Sequence, residues 1–135
     1  MFADSTIAAW TPRVLSIVRI VVALMFLEHG TQKFLDFPPS PNPTPVLFSL
    51  IGVQGAIEIV GGLLLAAGFF TRLVAFILSG DMAFAYFMSH APKSFFPALN
   101  GGDAAILYCF VFLYLAFAGG GPWSIDAAMG KTKTQ

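Results

Sequence analysis

This chain of 135 residues contains a single cysteine, Cys109. One thiol excludes an intrachain disulfide, a CxxC redox pair and a cysteine-based metal cluster, because each needs more than one sulfur atom. The length corresponds to one domain, so we expect a single membrane domain over residues 1–135 and no separate catalytic domain. Any redox chemistry would therefore come from a bound molecule or from another protein.

Charge is also scarce, at 10% of the residues, and neither sign is in excess. Seven Lys and Arg balance seven Asp and Glu, so the basic surplus that pairs with phosphates is missing and we expect no nucleic-acid partner. Apolar residues are abundant: 57% of the chain is hydrophobic and the mean hydropathy is +0.80. A domain this small cannot hide so much apolar surface from water. The composition excludes a water-soluble monomer and a disordered chain, and it indicates a lipid bilayer.

Four apolar stretches, separated by turn-forming residues, predict an all-α integral membrane protein with a bundle of four transmembrane helices. The stretches cover residues 14–35, 46–70, 73–89 and 104–118. A bilayer core of about 30 Å needs roughly 20 helical residues, so the first two stretches fit comfortably and the last two are short. The runs lack the alternation of barrel strands, which favours helices. The first is too long for a signal peptide and lacks a cleavage pattern, so we expect it to stay attached.

Basic residues predict the orientation of the bundle. An even number of spans places both termini on one side, and the other side holds only Lys33 and Lys93. The positive-inside rule then places both termini in the cytoplasm of a bacterial inner membrane, with tryptophans at the headgroup level of that face. The basic residues of the cytoplasmic side are Arg13, Arg19, Arg72, Lys131 and Lys133, and its tryptophans are Trp10 and Trp123.

Three charged residues fall well inside the predicted spans. An ionisable side chain at mid-bilayer costs about 2.5 to 3.5 kcal/mol on insertion scales, so each should face the bundle interior and have a partner. Depths along the helices predict a buried cluster of Arg19, Glu58 and Asp81 that joins the first three helices. Because one Arg cannot neutralise two acids, we also expect one acid to hold a proton or to find another donor. A purely structural role for this cluster is equally compatible with the sequence.

A second polar group is expected near the outer face. His29 and Lys33 share one helical face, and His90 ends the third stretch. Two histidines beside acids at an aqueous mouth suit ligand or proton handling, although hydrogen bonds that only fix helix register would look the same. Axial haem ligation is disfavoured, and a divalent metal is a minor alternative, so we predict no metal site. The candidate ligand-binding residues are Glu28, His29, Lys33, Gln54, His90, Asn100 and Asp103, of which Asn100 or Asp103 could instead cap a helix.

Several short motifs resemble the DoxX family of small four-helix bacterial inner-membrane proteins. They are Glu28-His29-Gly30 with Lys33-Phe34, then Gln54-Gly55 with Glu58 and Gly61-Gly62, then Gly68-Phe69-Phe70-Thr71-Arg72, His90 with Phe95-Phe96-Pro97, Asn100-Gly101-Gly102-Asp103 and Gly121-Pro122-Trp123-Ser124-Ile125-Asp126. Their order and spacing carry the resemblance from about residue 14 to residue 128. The sequence departs from the family at Asp103, where Glu is usual, and in a longer proline-rich loop after Asp36.

The resemblance implies an accessory subunit of a quinone-linked or oxidative-stress redox complex. In that role His29 or His90 would exchange the quinol proton, and Lys33 or Asn100 would hold a carbonyl oxygen. We expect no intrinsic cofactor, a quinone as the candidate ligand, the lipid bilayer and a redox protein as partners, and we leave homo-oligomerisation open. The alternatives are a small transporter or proton relay that uses Glu58, Asp81 and Arg19, and a non-catalytic membrane scaffold.

Overall fold

The computed structural model describes residues 3–130, and these residues form helices and connecting loops without a β-strand. The all-α prediction is therefore confirmed for this part of the chain. Lys131 and Lys133, used above for orientation, lie outside the described residues. The six α-helices are α1 (Asp4–Leu35), α2 (Leu50–Ala67), α3 (Thr71–Ala85), α4 (Pro97–Asn100), α5 (Asp103–Ala118) and α6 (Ile125–Ala128).

In the described part of the chain, three helical segments are long and apolar enough to cross a membrane. They are α1, α2 and the segment Thr71–Lys93, in which α3 continues through a π turn and a 3₁₀ turn. The helix α5 is equally apolar but has 16 residues, or about 24 Å at 1.5 Å per residue. Many large apolar side chains of the bundle are exposed, which suits contact with lipid.

Two helices begin at residues that hydropathy alone did not select. The helix α1 starts at Asp4, ten residues before the predicted stretch, and it contains Pro12. Proline lacks only its own N–H donor, so a helix can continue across it when the flanking turns remain bonded. The helix α2 starts at Leu50 and not at residue 46, because the Ser49 side chain accepts a hydrogen bond from the Gly52 N–H at 3.1 Å and acts as the N-cap.

The bundle consists of two tightly packed helix pairs. The helix α1 packs along α2, and α3 packs along α5, whereas α2 and α3 contact each other less extensively. A Cβ atom added at Gly30 would lie 2.7 Å from Ile59 Cγ1 and 2.9 Å from the Gly55 oxygen, so glycine sets the α1–α2 spacing. Between the pairs, the buried Phe26 ring meets Phe112 edge-on at a centroid distance of 5.0 Å.

Arg19 closes one end of the bundle and does not join Glu58 and Asp81, so the predicted three-residue cluster is wrong. The guanidinium is fully buried and donates hydrogen bonds to the backbone oxygens of Gly120, Trp123 and Ala66, the last two at 2.7 and 3.4 Å. The loop after α5 folds back over the helix ends and supplies the Gly120 and Trp123 carbonyls, whereas Ala66 lies in the last turn of α2. Backbone oxygens thus accept from the two terminal nitrogens of the guanidinium, while the buried Nε lacks a hydrogen-bond partner among the described residues. The carboxylate that acts on Arg19 through its charge is Asp126, and not Glu58 or Asp81.

Further hydrogen bonds connect the same loop to α1, and connect α6, which follows it, to the start of α3. Ser16 Oγ donates to the Gly120 oxygen at 3.1 Å and accepts from the Trp123 N–H at 3.1 Å. The Asp126 carboxylate accepts from the N–H groups of Phe70 and Thr71, both at 2.9 Å, at the start of α3. An acid at a helix N-terminus is favoured by the free N–H groups and the helix dipole.

Candidate functional site

A cavity of about 270 Å³ lies at the end of the bundle opposite Arg19. We call it the His29–His90 cavity. It opens among α1, α2, the end of the third helical segment and the start of α5. Its lining combines basic, acidic and aromatic side chains with apolar ones: Phe26, His29, Lys33, Gln54, Glu58, Met82, Ala85, Ser89, His90, Gly101, Ala104, Ala105 and Tyr108.

An ion pair between α1 and α2 forms one wall of this cavity. Lys33 Nζ lies 2.8 Å from Glu58 Oε1, and the Lys33 and Glu58 side chains are 27% and 4% exposed. Lys33 stands near the end of α1 and Glu58 near the middle of α2, so the long lysine side chain reaches inward to the acid. Lys33 therefore provides the basic partner that we had assigned to Arg19.

Two buried carboxylate oxygens near this ion pair lack partners. Within residues 3–130, Glu58 Oε2 and Asp81 Oδ2 are buried and accept no hydrogen bond. The charges that act on Asp81 are those of Glu58 and Lys33. With both acids ionised, the group would carry one positive and two negative charges in a low-dielectric setting. An exchangeable proton, or a hydrogen bond donated by a bound molecule, would satisfy the carboxylate oxygens that lack partners.

The two histidines line the cavity from different helical segments, His29 from α1 and His90 from the π turn after α3. His90 Nδ1 lies 3.0 Å from the backbone oxygen of Asn100. A carbonyl oxygen can only accept, so Nδ1 carries the proton and Nε2 is the acceptor of the neutral ring. The His90 ring stacks on Tyr86 at a centroid distance of 6.3 Å, whereas His29 meets Tyr108 edge-on at 6.1 Å. Each imidazole is thus oriented by an aromatic neighbour.

Asn100 supports the cavity from outside and does not line it. Its amide nitrogen donates to Tyr86 Oη at 3.2 Å and to the Ser94 oxygen at 3.0 Å, while its amide oxygen accepts from the Gly102 N–H at 2.8 Å. Both donor hydrogens are therefore engaged within the protein, so neither is free to bind a ligand carbonyl unless one of these hydrogen bonds is broken. Capping of the turn, the alternative reading, fits these contacts, and Asn100 also positions His90 through its backbone oxygen.

Two other candidates are not part of the cavity lining. Glu28 and Asp103 are exposed and are absent from its lining. Asp103 stands in the first turn of α5, where a negative charge is favoured by the helix dipole. Within residues 3–130 no three His, Cys, Asp or Glu side chains approach closely enough to hold a metal ion. Glu28, His29, His90 and Asp103, which offer suitable ligand atoms for a divalent metal, therefore do not come together as a metal site.

Tyr108 and Ser89 line the cavity but were not selected as site residues from the sequence. Tyr108 lies four residues after Ala104, and both face the cavity. That i, i+4 spacing behind the turn at Asn100 is the signal that could have identified it. Ser89 precedes His90 in the π turn Tyr86–His90, and both neighbours reach the cavity. No helical periodicity predicts this, since π turns follow a different spacing.

Apolar helices that could cross a membrane, closed at one end by a buried arginine and opened at the other by a polar cavity, define an integral membrane protein. The DoxX family profile matches residues 14–91, which is more than half of the chain, and the protein belongs to the DoxX family. The match includes His29, Lys33, Glu58 and His90, whereas the motifs around Asn100 and Asp126 lie beyond it.

Two relatives support this assignment. Over 122 residues the chain is 48% identical to an uncharacterized protein of Haemophilus influenzae, a match that covers 87% of this chain and 91% of that protein. Over 134 residues it is 26% identical to an uncharacterized membrane protein of Mycobacterium tuberculosis, covering 87% of this chain and 82% of the relative. No solved structure matches the chain significantly.

Proposed function

We propose that this DoxX protein binds a quinone or a similar small ligand in the His29–His90 cavity and serves as an accessory subunit of a quinone-linked or oxidative-stress redox complex. The observation that carries the proposal is the mixed lining of the cavity, in which an ion pair, two imidazoles and a phenol stand among apolar side chains. Ligand sites typically combine apolar walls with a few convergent polar groups. A quinone head, with an apolar ring and two carbonyl oxygens, matches that combination.

The cavity residues divide the work of holding such a head. Lys33, fixed against Glu58, donates to one carbonyl oxygen and stabilises negative charge that develops there. His90 donates a hydrogen bond from Nδ1 to the Asn100 oxygen and accepts a quinol proton at Nε2. His29 contacts the quinone head from α1. The chain itself has one cysteine and no redox pair, so electrons come from the quinone and a partner protein.

In this proposal the protein crosses the bacterial inner membrane four times, with both termini in the cytoplasm. The helix α5 is the fourth span, and its short length is accommodated by local thinning of the bilayer. Lys33 and Lys93 then lie at the outer face, which the His29–His90 cavity adjoins. Fusion of alkaline phosphatase to the C-terminus should be inactive in cells; activity comparable to a periplasmic control would exclude this orientation.

Quinone binding can be measured on the purified protein in lipid nanodiscs. We expect saturable quenching of intrinsic fluorescence by decylubiquinone, and loss of affinity by about tenfold, the equivalent of one good polar contact, in His90→Ala. Asp4→Asn provides the control, because Asp4 is exposed in the first turn of α1, far along that helix from the cavity residues His29 and Lys33. If wild-type protein shows no saturable binding, or if both variants lose affinity equally, quinone binding in this cavity is refuted.

A proton relay is the second candidate, and the buried oxygens of Glu58 and Asp81 without partners favour it. Ionisable groups inside membranes often mark proton paths. Proteoliposomes that contain the protein should then show a proton flux that Glu58→Gln abolishes. Flux equal to that of empty liposomes would remove this candidate. A scaffold role instead predicts intact cellular phenotypes in His29→Ala and His90→Ala.

A further inference from the structure

We infer that the ligand has a long apolar tail, which lies in a groove between α2 and α3, and that it enters the His29–His90 cavity sideways from the bilayer. This inference rests on the proposed function, since the cavity is taken to hold the polar head. It specifies the ligand class as amphipathic lipid-soluble molecules, such as isoprenoid or alkyl quinones, and not free water-soluble ones.

The first observation is the groove itself, which we call the α2/α3 groove. It has a volume of about 490 Å³. All of its lining residues are apolar or glycine: Leu47, Phe48, Val53, Ala56, Ile57, Val60, Gly61, Leu64, Val74, Ile77 and Leu78. Val60 and Ile77 are 58% and 54% exposed, so the groove opens on the surface that faces lipid. Its size and chemistry suit an alkyl or isoprenoid chain.

The second observation is a series of adjoining pockets that leads from the groove to the cavity. A smaller cleft of about 180 Å³ lies between them and contains Asp81. This Asp81 cleft shares Val53 and Ile57 with the groove, and it shares Gln54, Ala85 and Ser89 with the cavity. Along this route the lining changes from purely apolar to polar and charged, which is the order that a tailed head group requires.

The third observation concerns the seam that the ligand would pass. The helices α2 and α3 contact each other less than either contacts its partner in the pairs α1–α2 and α3–α5. One tight point is Gly61, where an added Cβ atom would lie 2.6 Å from Leu78 Cδ2. The seam between α1 and α5 is packed more sparsely still, but the groove and the Asp81-containing cleft lie along the seam between α2 and α3. A local separation of α2 from α3 would therefore open the cavity to a ligand already held in the groove.

The test compares two ligands with the same head in nanodiscs: decylubiquinone and its tail-less counterpart, in which methyl replaces the decyl chain. Ala56→Phe fills the groove, and Leu63→Phe places the same phenyl side chain on the lipid-facing side of α2, outside the groove. The readout is the affinity for decylubiquinone divided by the affinity for the tail-less compound. Partition of each ligand into lipid cancels when this ratio is compared between variants. We expect this ratio to fall about fivefold in Ala56→Phe and less than about twofold in Leu63→Phe.

A second variant guards against misfolding of Ala56→Phe. Val60→Phe narrows the groove from its exposed rim and should lower the ratio in the same direction. Equal ratios in wild type and in both groove variants would overturn the tail site, while binding of the tail-less head would leave the proposed function standing. Failure of both ligands to bind wild-type protein would reject the two proposals together.

A photolabel locates the tail directly. Decylubiquinone with a diazirine at the tail end should label peptides from α2 and α3, and excess unlabelled decylubiquinone should suppress that labelling. Competable labelling confined to α1 or α5 would overturn the inference.

Discussion

Removal of Lys33 should destabilise the protein more than removal of its ion-pair partner. Lys33, Glu58 and Asp81 together carry one positive and two negative formal charges. Lys33→Met raises the buried excess to two negative charges, whereas Glu58→Gln leaves Lys33 opposite Asp81 alone. The two substitutions break the same 2.8 Å contact, so a difference between them reports on the third charge.

The structure sets the size of the effect. Breaking a fully buried ion pair by removing one partner costs about 3 to 5 kcal/mol, because the remaining charge is uncompensated. The Lys33 side chain is 27% exposed and the Glu58 side chain only 4%. Partial access of water to the lysine end lowers the expected cost of Lys33→Met to about 2 to 3 kcal/mol. For Glu58→Gln we expect about 1 kcal/mol, the cost of a hydrogen bond, because repulsion with Asp81 is relieved.

The assay is reversible unfolding in mixed micelles, with SDS as denaturant and helical circular dichroism as the signal. The double variant Lys33→Met with Glu58→Gln should be more stable than Lys33→Met alone, because it removes one of the two uncompensated acids. Equal costs for the two single variants, or a Lys33→Met cost within about 0.5 kcal/mol of zero, would refute the three-charge interpretation.

Two further predictions use the same unfolding assay. Arg19→Lys should cost about 2 to 3 kcal/mol, because one ammonium cannot reach the separate carbonyl oxygens that the planar guanidinium bridges. The control is Arg13→Lys at an exposed position. Equal stability of the two variants would contradict the role of Arg19 in holding the loop after α5. Gly30→Ala should cost about 1 to 3 kcal/mol, because the added methyl group forces α1 away from α2. Gly80→Ala should be neutral or stabilising, because an added Cβ there meets nothing within 4 Å. If Gly30→Ala is as stable as wild type, the two helices adjust freely and the prediction is wrong.

The sequence by itself determined the solvent, the secondary structure and the family. A chain with 10% charge and a mean hydropathy of +0.80 must place most of its surface in lipid, and backbone groups in lipid must be paired within helices. Local signals also set element ends, such as the Ser49 cap. The motifs that carry the DoxX resemblance are contiguous and can be read without coordinates.

Only the tertiary structure decided which charges are paired. The depth of a residue in the bundle follows from its position along its own helix, so it was predictable from the sequence. The partner of a long side chain depends instead on where other segments of the chain fold. Arg19 donates to carbonyl oxygens of a loop more than a hundred residues away, and Glu58 pairs with Lys33 instead. For the same reason the cavity, the pockets that adjoin it toward the α2/α3 groove and the supporting role of Asn100 emerged only once the helices were packed.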